Sequence, residues 1–132
     1  MPEGQRVVAV VDDDASVRVS LGRLLRAAGY AVTSYAGGAE FLSSPVKPDC
    51  LLLDLDMPGM NGAGVLACLA TLGRCMPTVI ITGNIQELQA DSVRTLPLLH
   101  KPFDDQTLLD AVATAIYSGG ATPASAGIGP RA

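Results

Sequence analysis

Acidic, hydroxyl and basic side chains follow four of the apolar runs in this 132-residue sequence, close to where each run ends. They are Asp12 and Asp13 after the first run, Asp54 and Asp56 after the third, Thr82 after the fourth, and Lys101 after the fifth. Clustered carboxylates repel one another unless a cation lies between them, and Mg²⁺ prefers such oxygen ligands. A nearby ammonium and hydroxyl can hold phosphate oxygens. If the fold brings these groups together, they predict Mg²⁺-assisted phosphoryl transfer, with Asp54 as acceptor.

The elements that would position these residues alternate between strand-like and helix-like patterns five times. Strands are predicted over 7–11, 31–35, 50–53, 78–81 and 98–99, and the third is apolar at every position, which is typical of a strand buried on both faces. Such alternation predicts an α/β fold, a doubly wound parallel sheet with helices on both faces. Right-handed crossovers bring the loops that follow the strands to one edge, where ligands of such sheets bind.

Helices are predicted between the strands from their caps and apolar stripes. The first has the stripe Val17, Leu21, Leu24, Leu25 and Ala28, with Arg18, Arg23 and Arg26 pointing away from it. A short helix is predicted over 39–42. Asn61, Asn84 and Asp104 are the expected caps of the remaining three, with Val65, Leu66, Leu69 and Leu72 as the stripe of the third helix.

Composition limits the classes of function. Hydrophobic residues make up 48% and charged residues 17%, as in a globular domain, which is expected over 1–117 with a disordered tail or linker over 118–132. A net charge of −4 argues against direct nucleic-acid binding. No run is long enough to span a membrane and no signal peptide is recognisable, so a cytoplasmic location is expected. The three cysteines are expected to be reduced.

Each candidate residue also has a structural interpretation. Asp14 fits the cap of the first helix, and the carboxylate of Asp56 is expected to be an ordinary solvated group. His100, the only histidine, is expected at the surface or sheet edge. Met57 and Met60 are expected to pack around the loop.

Four sequence motifs resemble those of the receiver domains of two-component response regulators. They are VVDDD at 10–14, LLLDLDMPGMNG at 51–62, VIITG at 79–83 and HKPF at 100–103, in order and spread over about 6–117. The resemblance implies a flavodoxin-like fold of the chemotaxis-regulator type. That fold has five parallel strands in the order 2-1-3-4-5, flanked by five helices.

The resemblance also implies roles for the metal-binding residues. Asp13 is expected to ligate Mg²⁺ directly and Asp12 mainly through water. Asp54 is expected to be both ligand and phosphoacceptor. Asp56 is expected to contribute its backbone carbonyl to the metal.

The same resemblance implies that Thr82 supplies a switch hydroxyl and that Lys101 pairs with the phosphoryl group. The bond between Lys101 and Pro102 is expected to be cis. The donor is expected to be a sensor histidine kinase or a histidine phosphotransfer protein of a bacterial signalling system. A downstream protein target is expected, and phosphorylation-dependent homodimers are an option. Beyond its own phosphorylation and dephosphorylation, the chain is not expected to be an enzyme.

One residue and the length of one stretch depart from the family pattern. Leu98 stands where the family usually has an inward-turning Tyr or Phe, and the stretch from Thr82 to Lys101 is about one helical turn short. The fourth helix is therefore expected to be short, shifted or mobile.

Two other functions are compatible with parts of this pattern. A degenerate receiver would act as an interaction module without phosphorylation. The Asp54-Leu55-Asp56 triplet also resembles the DxD of haloacid-dehalogenase-type phosphohydrolases, although in those enzymes it follows the first strand. Metal-dependent phosphorylation would exclude the first alternative, and turnover of phosphomonoesters would favour the second.

Overall fold

A computed structural model describes residues 5–57, 62–83 and 97–117, with only the backbone for residues 62 and 63. The strands are β1 (Val7–Val11), β2 (Ala31–Tyr35), β3 (Cys50–Asp54), β4 (Thr78–Thr82) and β5 (Leu98–His100). The helices are α1 (Ala15–Ala27), α2 (Gly38–Leu42), α3 (Gly62–Thr71) and α4 (Asp105–Tyr117). The helix predicted after Asn84, the cap at Asn61 and the predicted tail over 118–132 lie outside the described residues.

The five strands form one sheet in the order β2-β1-β3-β4-β5, and all four pairings are parallel. This confirms the predicted fold class and strand order. Every residue of β3 and β4 is buried, as the continuous apolar run of the third strand predicted.

Alternation along the strands divides the core into two layers. Val8 and Val10 face a cluster that includes Leu25 of α1 and Leu108 of α4. The odd-numbered residues next to them in β1 point the other way and pack with residues of α2 and α3, including Phe41, Val65 and Leu69. The period-two side-chain direction of a strand therefore places α1 and α4 on one face and α2 and α3 on the other.

Local signals fix the helix ends. The Asp14 carboxylate accepts hydrogen bonds from the backbone N–H groups of Ser16 and Val17, which confirms Asp14 as the cap of α1. Gly29, just beyond α1, has a φ of 102°, a conformation that favours glycine. Asp104 accepts from the Thr107 N–H at 2.8 Å and so caps α4.

Three details differ from the sequence-based expectations. Asp54 and Thr82 are the last residues of β3 and β4 rather than the first loop residues. Leu72 was predicted in the apolar stripe of α3, but it lies just beyond the helix and is 58% exposed. Arg18 is only half-exposed, because its side chain folds back toward the loop after β1.

The structure also describes the cysteines and the lengths of the helices. Cys50, Cys68 and Cys75 are all free thiols, and burial raises the pKa of Cys50 to about 12. Among the helices of the described ranges, none has the length and apolar character needed to cross a membrane.

Candidate functional site

The site lies at the edge of the sheet where the parallel strands end. Strand β3 is central, with β1 on one side and β4 on the other, so Asp54 lies between the loop that follows β1 and the end of β4. Strand β5 brings Lys101 to the same edge, where its backbone N–H donates to the Thr82 carbonyl at 2.8 Å. Topology alone therefore assembles the residues that the sequence singled out.

The carboxylate of Asp54 meets two carboxylates from the loop that follows β1. Asp12 and Asp54 are 1% and 2% exposed, whereas Asp13 is exposed. One oxygen from each lies within 4.8 Å of the others, which is close enough for a single cation to contact all three. The structure thus brings together the predicted side-chain metal ligands Asp12, Asp13 and Asp54.

The electrostatics of Asp12 fit a cation at this position. Its Oδ1 accepts the Asp14 N–H at 2.9 Å, but its buried Oδ2 has no hydrogen-bond partner among the described residues. Burial, supported by the negative charge of Asp54, raises the pKa of Asp12 to about 6. A buried carboxylate oxygen that lacks a donor is costly, and a hard cation with oxygen ligands would remove that cost.

Donor groups lie on the other side of Asp54. The Lys101 Nζ is 3.5 Å from Asp54 Oδ1, and the same oxygen accepts the Asp56 backbone N–H at 2.9 Å. The Lys101 side chain is 35% exposed, so its ammonium can contact both this carboxylate and solvent. The bond between Lys101 and Pro102 is cis, as predicted.

The Asp56 carboxylate does not behave as the sequence suggested. It was expected to be an ordinary solvated group, and the residue is indeed exposed. However, its Oδ1 accepts the Thr82 hydroxyl at 3.1 Å, and its Oδ2 accepts the Gly83 backbone N–H at 2.7 Å. The carboxylate therefore links the loop after β3 to the end of β4.

Arg18 is a second contributor that the sequence analysis missed. Its Nη1 donates to the carbonyl oxygen of Asp12 at 2.7 Å, which ties α1 to the loop that carries the carboxylates. A useful signal was available, because a helix beginning just after Asp14 brings its first-turn residues close to that loop.

The remaining predicted residues occupy less central places. His100 is exposed at the end of β5, as expected, and Met57 is buried against the α2/α3 layer. Leu98, which stands where the family usually has an aromatic residue, is half-buried and packs against the same layer. Met60 lies outside the described residues.

Comparison with known proteins gives a consistent result. A family model described as "Response regulator receiver domain" matches residues 8–113. The transcriptional regulatory protein FixJ of Azorhizobium caulinodans is 36% identical over 121 residues, which are 88% of this chain and 57% of that protein. Nodulation protein W of Bradyrhizobium diazoefficiens is 39% identical over 114 residues, which are 83% of this chain and 50% of that protein.

A solved structure also shares nearly the whole fold. The response regulator receiver protein from Burkholderia phymatum is 37% identical, with a TM-score of 0.73, and the match covers 90% of this chain and 99% of that one. By contrast, this chain spans about half the length of the two curated relatives.

Proposed function

We propose that this chain, which belongs to the family of response regulator receiver domains, accepts a phosphoryl group on Asp54 in a Mg²⁺-dependent reaction. One observation carries the proposal. Asp54 is a buried carboxylate at the end of the central strand, between a cluster that a cation can fill and the ammonium of Lys101, 3.5 Å from its Oδ1.

The chemistry is a displacement at phosphorus. A carboxylate oxygen of Asp54 forms a bond to phosphorus while the bond from phosphorus to a nitrogen of the donor histidine breaks. The electron pair of that bond leaves with the donor imidazole. Little covalent work falls to the protein in such a transfer, which depends on position and charge neutralisation.

Asp12, Asp13 and Asp54 are the side chains that would hold Mg²⁺, and the family resemblance adds the backbone carbonyl of Asp56. The ion would neutralise carboxylate and phosphate charge at the moment the two approach each other. The unpartnered Oδ2 of Asp12 supports this assignment, because the protein itself supplies no donor for it among the described residues.

The donor side would then hold the transferred group. Lys101 can exchange its contact with Asp54 for a phosphate oxygen, because its ammonium is a mobile point charge. The Thr82 hydroxyl can donate to a second oxygen. The new charge, about −2 at neutral pH, would draw both groups inward and change the surface that a partner contacts.

The proposed partners follow from the family. A sensor histidine kinase or a phosphotransfer protein would supply the phosphoryl group in the cytoplasm, and a protein target or a second copy of the chain would respond. FixJ is described as a transcriptional regulatory protein. If this chain serves the same purpose, we place DNA binding outside the receiver, since its net charge is −4.

A degenerate receiver is the second candidate, and Leu98 is the observation that favours it. It offers no aromatic ring to respond to Thr82, and it packs as an aliphatic group against the α2/α3 layer. Such a chain would keep the fold and bind its partner without phosphorylation.

The deciding experiment is intact mass after incubation with acetyl phosphate or phosphoramidate, with and without Mg²⁺. The proposal predicts a gain of one phosphoryl group that requires Mg²⁺ and is absent from the Asp54→Asn variant. No gain under any condition would support the degenerate receiver, and turnover of small phosphomonoesters would instead support a phosphohydrolase.

A further inference from the structure

The carboxylate of Asp56 accepts hydrogen bonds from two donors at the end of β4. Its Oδ1 accepts the Thr82 hydroxyl at 3.1 Å and its Oδ2 accepts the Gly83 N–H at 2.7 Å. These residues are 26 and 27 positions apart in sequence, so the contacts are tertiary rather than part of a local turn. Two hydrogen bonds from adjacent residues fix the orientation of this carboxylate, although the residue itself is exposed.

Asp56 also contacts the acceptor directly. Its backbone N–H donates to Asp54 Oδ1 at 2.9 Å, the same oxygen that lies 3.5 Å from the Lys101 ammonium. One residue therefore joins the carboxylate that would be phosphorylated to the hydroxyl that would respond. A phosphoryl group on Asp54 would therefore act next to the backbone of Asp56.

The chemistry of a hydroxyl makes the two acceptors mutually exclusive. Thr82 has a single O–H proton and can donate it to one acceptor at a time. In the unphosphorylated protein that acceptor is the Asp56 carboxylate, 3.1 Å from the hydroxyl oxygen. A phosphoryl group on Asp54 must compete with it.

We propose that Asp56 is a positioning residue that holds Thr82 in its unphosphorylated arrangement, and that the phosphoryl group recruits Thr82 only by displacing this carboxylate. The inference rests on the proposed function and deepens it. In this proposal the Asp56 side chain opposes activation, while its backbone carbonyl keeps the role expected for it at the metal.

The test is the affinity for beryllofluoride, a phosphoryl mimic, measured by calorimetry at saturating Mg²⁺. Replacing Asp56 with Ala removes the competitor, and we expect binding about 5- to 20-fold tighter, the lower part of the usual range of a coupling between two sites. Asp56→Asn keeps one acceptor oxygen without the charge and is expected to lie between Asp56→Ala and the wild type.

A second background separates competition for Thr82 from simple charge removal. In Thr82→Val, which keeps the shape of the side chain but lacks the hydroxyl, the gain from Asp56→Ala should fall below about twofold, because coupling requires both partners. In Thr82→Ser, which keeps the hydroxyl, the full gain should return. An equal gain in all backgrounds would mean that Asp56 acts only through its charge, and the inference would be wrong.

Failure of this inference differs from failure of the proposed function. If the wild type binds beryllofluoride but Asp56→Ala binds it no more tightly, Asp56 does not oppose the switch and the proposed function stands. If no variant and no wild type binds beryllofluoride with Mg²⁺, both are overturned. The amide proton resonance of Gly83 gives an independent check, since it should move upfield in Asp56→Ala when the 2.7 Å bond is lost.

Discussion

The two sides of Asp54 differ in what they lack. The acidic half of the site, formed by Asp12 and Asp13 with Asp54 itself, is rich in carboxylate oxygens, and one buried oxygen has no hydrogen-bond partner within the described part of the chain. In the donor half, formed by Thr82, Gly83 and Lys101, the hydroxyl, the amide and the ammonium all already contact carboxylates. The acidic half thus has the ligands for a cation, whereas the donor half must exchange partners to bind an anion.

This contrast predicts that metal binding and phosphoryl transfer can be damaged separately. Variants of the acidic half should lose Mg²⁺ and therefore also phosphorylation. Variants of the donor half should keep Mg²⁺ and lose only phosphorylation. The predictions below are ordered from the largest expected effect to the smallest.

Replacing Asp13 with Asn should weaken Mg²⁺ binding by about 100-fold, because a charged ligand is lost from a small cluster. Mg²⁺ titration followed by NMR or calorimetry measures this. Asp14→Asn is a matched control, since it removes the same charge one residue away and asparagine caps a helix equally well. Equal losses in the two variants would indicate a general charge effect and remove the distinction between ligand and cap.

Replacing Lys101 with Met should slow phosphorylation by acetyl phosphate about 100-fold, the usual cost of losing one positioned charge in such a site. Its Mg²⁺ affinity should stay at or above that of the wild type, because a competing cation is removed. Intact mass against time gives the rate. Lys47→Met, an exposed lysine before the opposite end of β3, is the control. Weaker Mg²⁺ binding in Lys101→Met would contradict the division of the site.

The pH dependence of stability should carry the signature of Asp12. Its folded pKa of about 6 lies above the ordinary value of 3.8, so its ionisation opposes folding. The folded protein therefore binds the Asp12 proton more tightly than the unfolded chain does. This contribution to stability is fully present below about pH 4 and is lost as the pH rises through about 6. Without metal, Asp12→Asn should therefore gain about 1–2 kcal/mol over the wild type between pH 4 and pH 7.

Urea unfolding in the presence of a chelator measures this difference, and Asp14→Asn is again the control. Added Mg²⁺ should reverse the order of stability, because only the wild type gains a strong metal contact. If the difference between Asp12→Asn and the wild type were the same at pH 4 and pH 7, Asp12 would not titrate as its surroundings imply.

Replacing Arg18 with Ala should have the smallest effect, a loss of about 1 kcal/mol in the free energy of unfolding, because the lost bond to the Asp12 carbonyl is charge-assisted but only partly buried. Arg23→Ala, an exposed arginine on the same helix, should change stability less than half as much. A similar loss in both variants would leave no special role for the contact between α1 and the acidic half.

The sequence predicted the acidic half better than the donor half. The positions of Asp12, Asp13 and Asp54 follow from strand ends in a parallel sheet, so topology alone brings them together. The contact between the Asp56 carboxylate and Thr82 depends instead on a side-chain rotamer in an exposed loop, and no local pattern encodes it. Arg18 was missed because it was assigned to a solvent face, whereas a long side chain can reach beyond its own turn.

Element boundaries show the same division between general rules and local detail. All five strands were predicted within one residue, because apolar runs bounded by polar residues are strong signals. The assignment of Leu72 to the stripe of α3 was wrong, because a stripe at helical spacing does not say where the helix ends. The stretch after Asn84 lies largely outside the described residues, so its predicted short helix stays a prediction.

The central claim is that Asp54, rather than a neighbouring carboxylate, receives the phosphoryl group. Borohydride reduction of the acetyl phosphate-treated protein converts an aspartyl phosphate to homoserine, and tandem mass spectrometry of the peptides then locates it. We expect homoserine at position 54 alone, and only in samples that contained Mg²⁺. Homoserine at position 12, 13 or 56, or at no position in a sample that had gained the phosphoryl mass, would contradict the account.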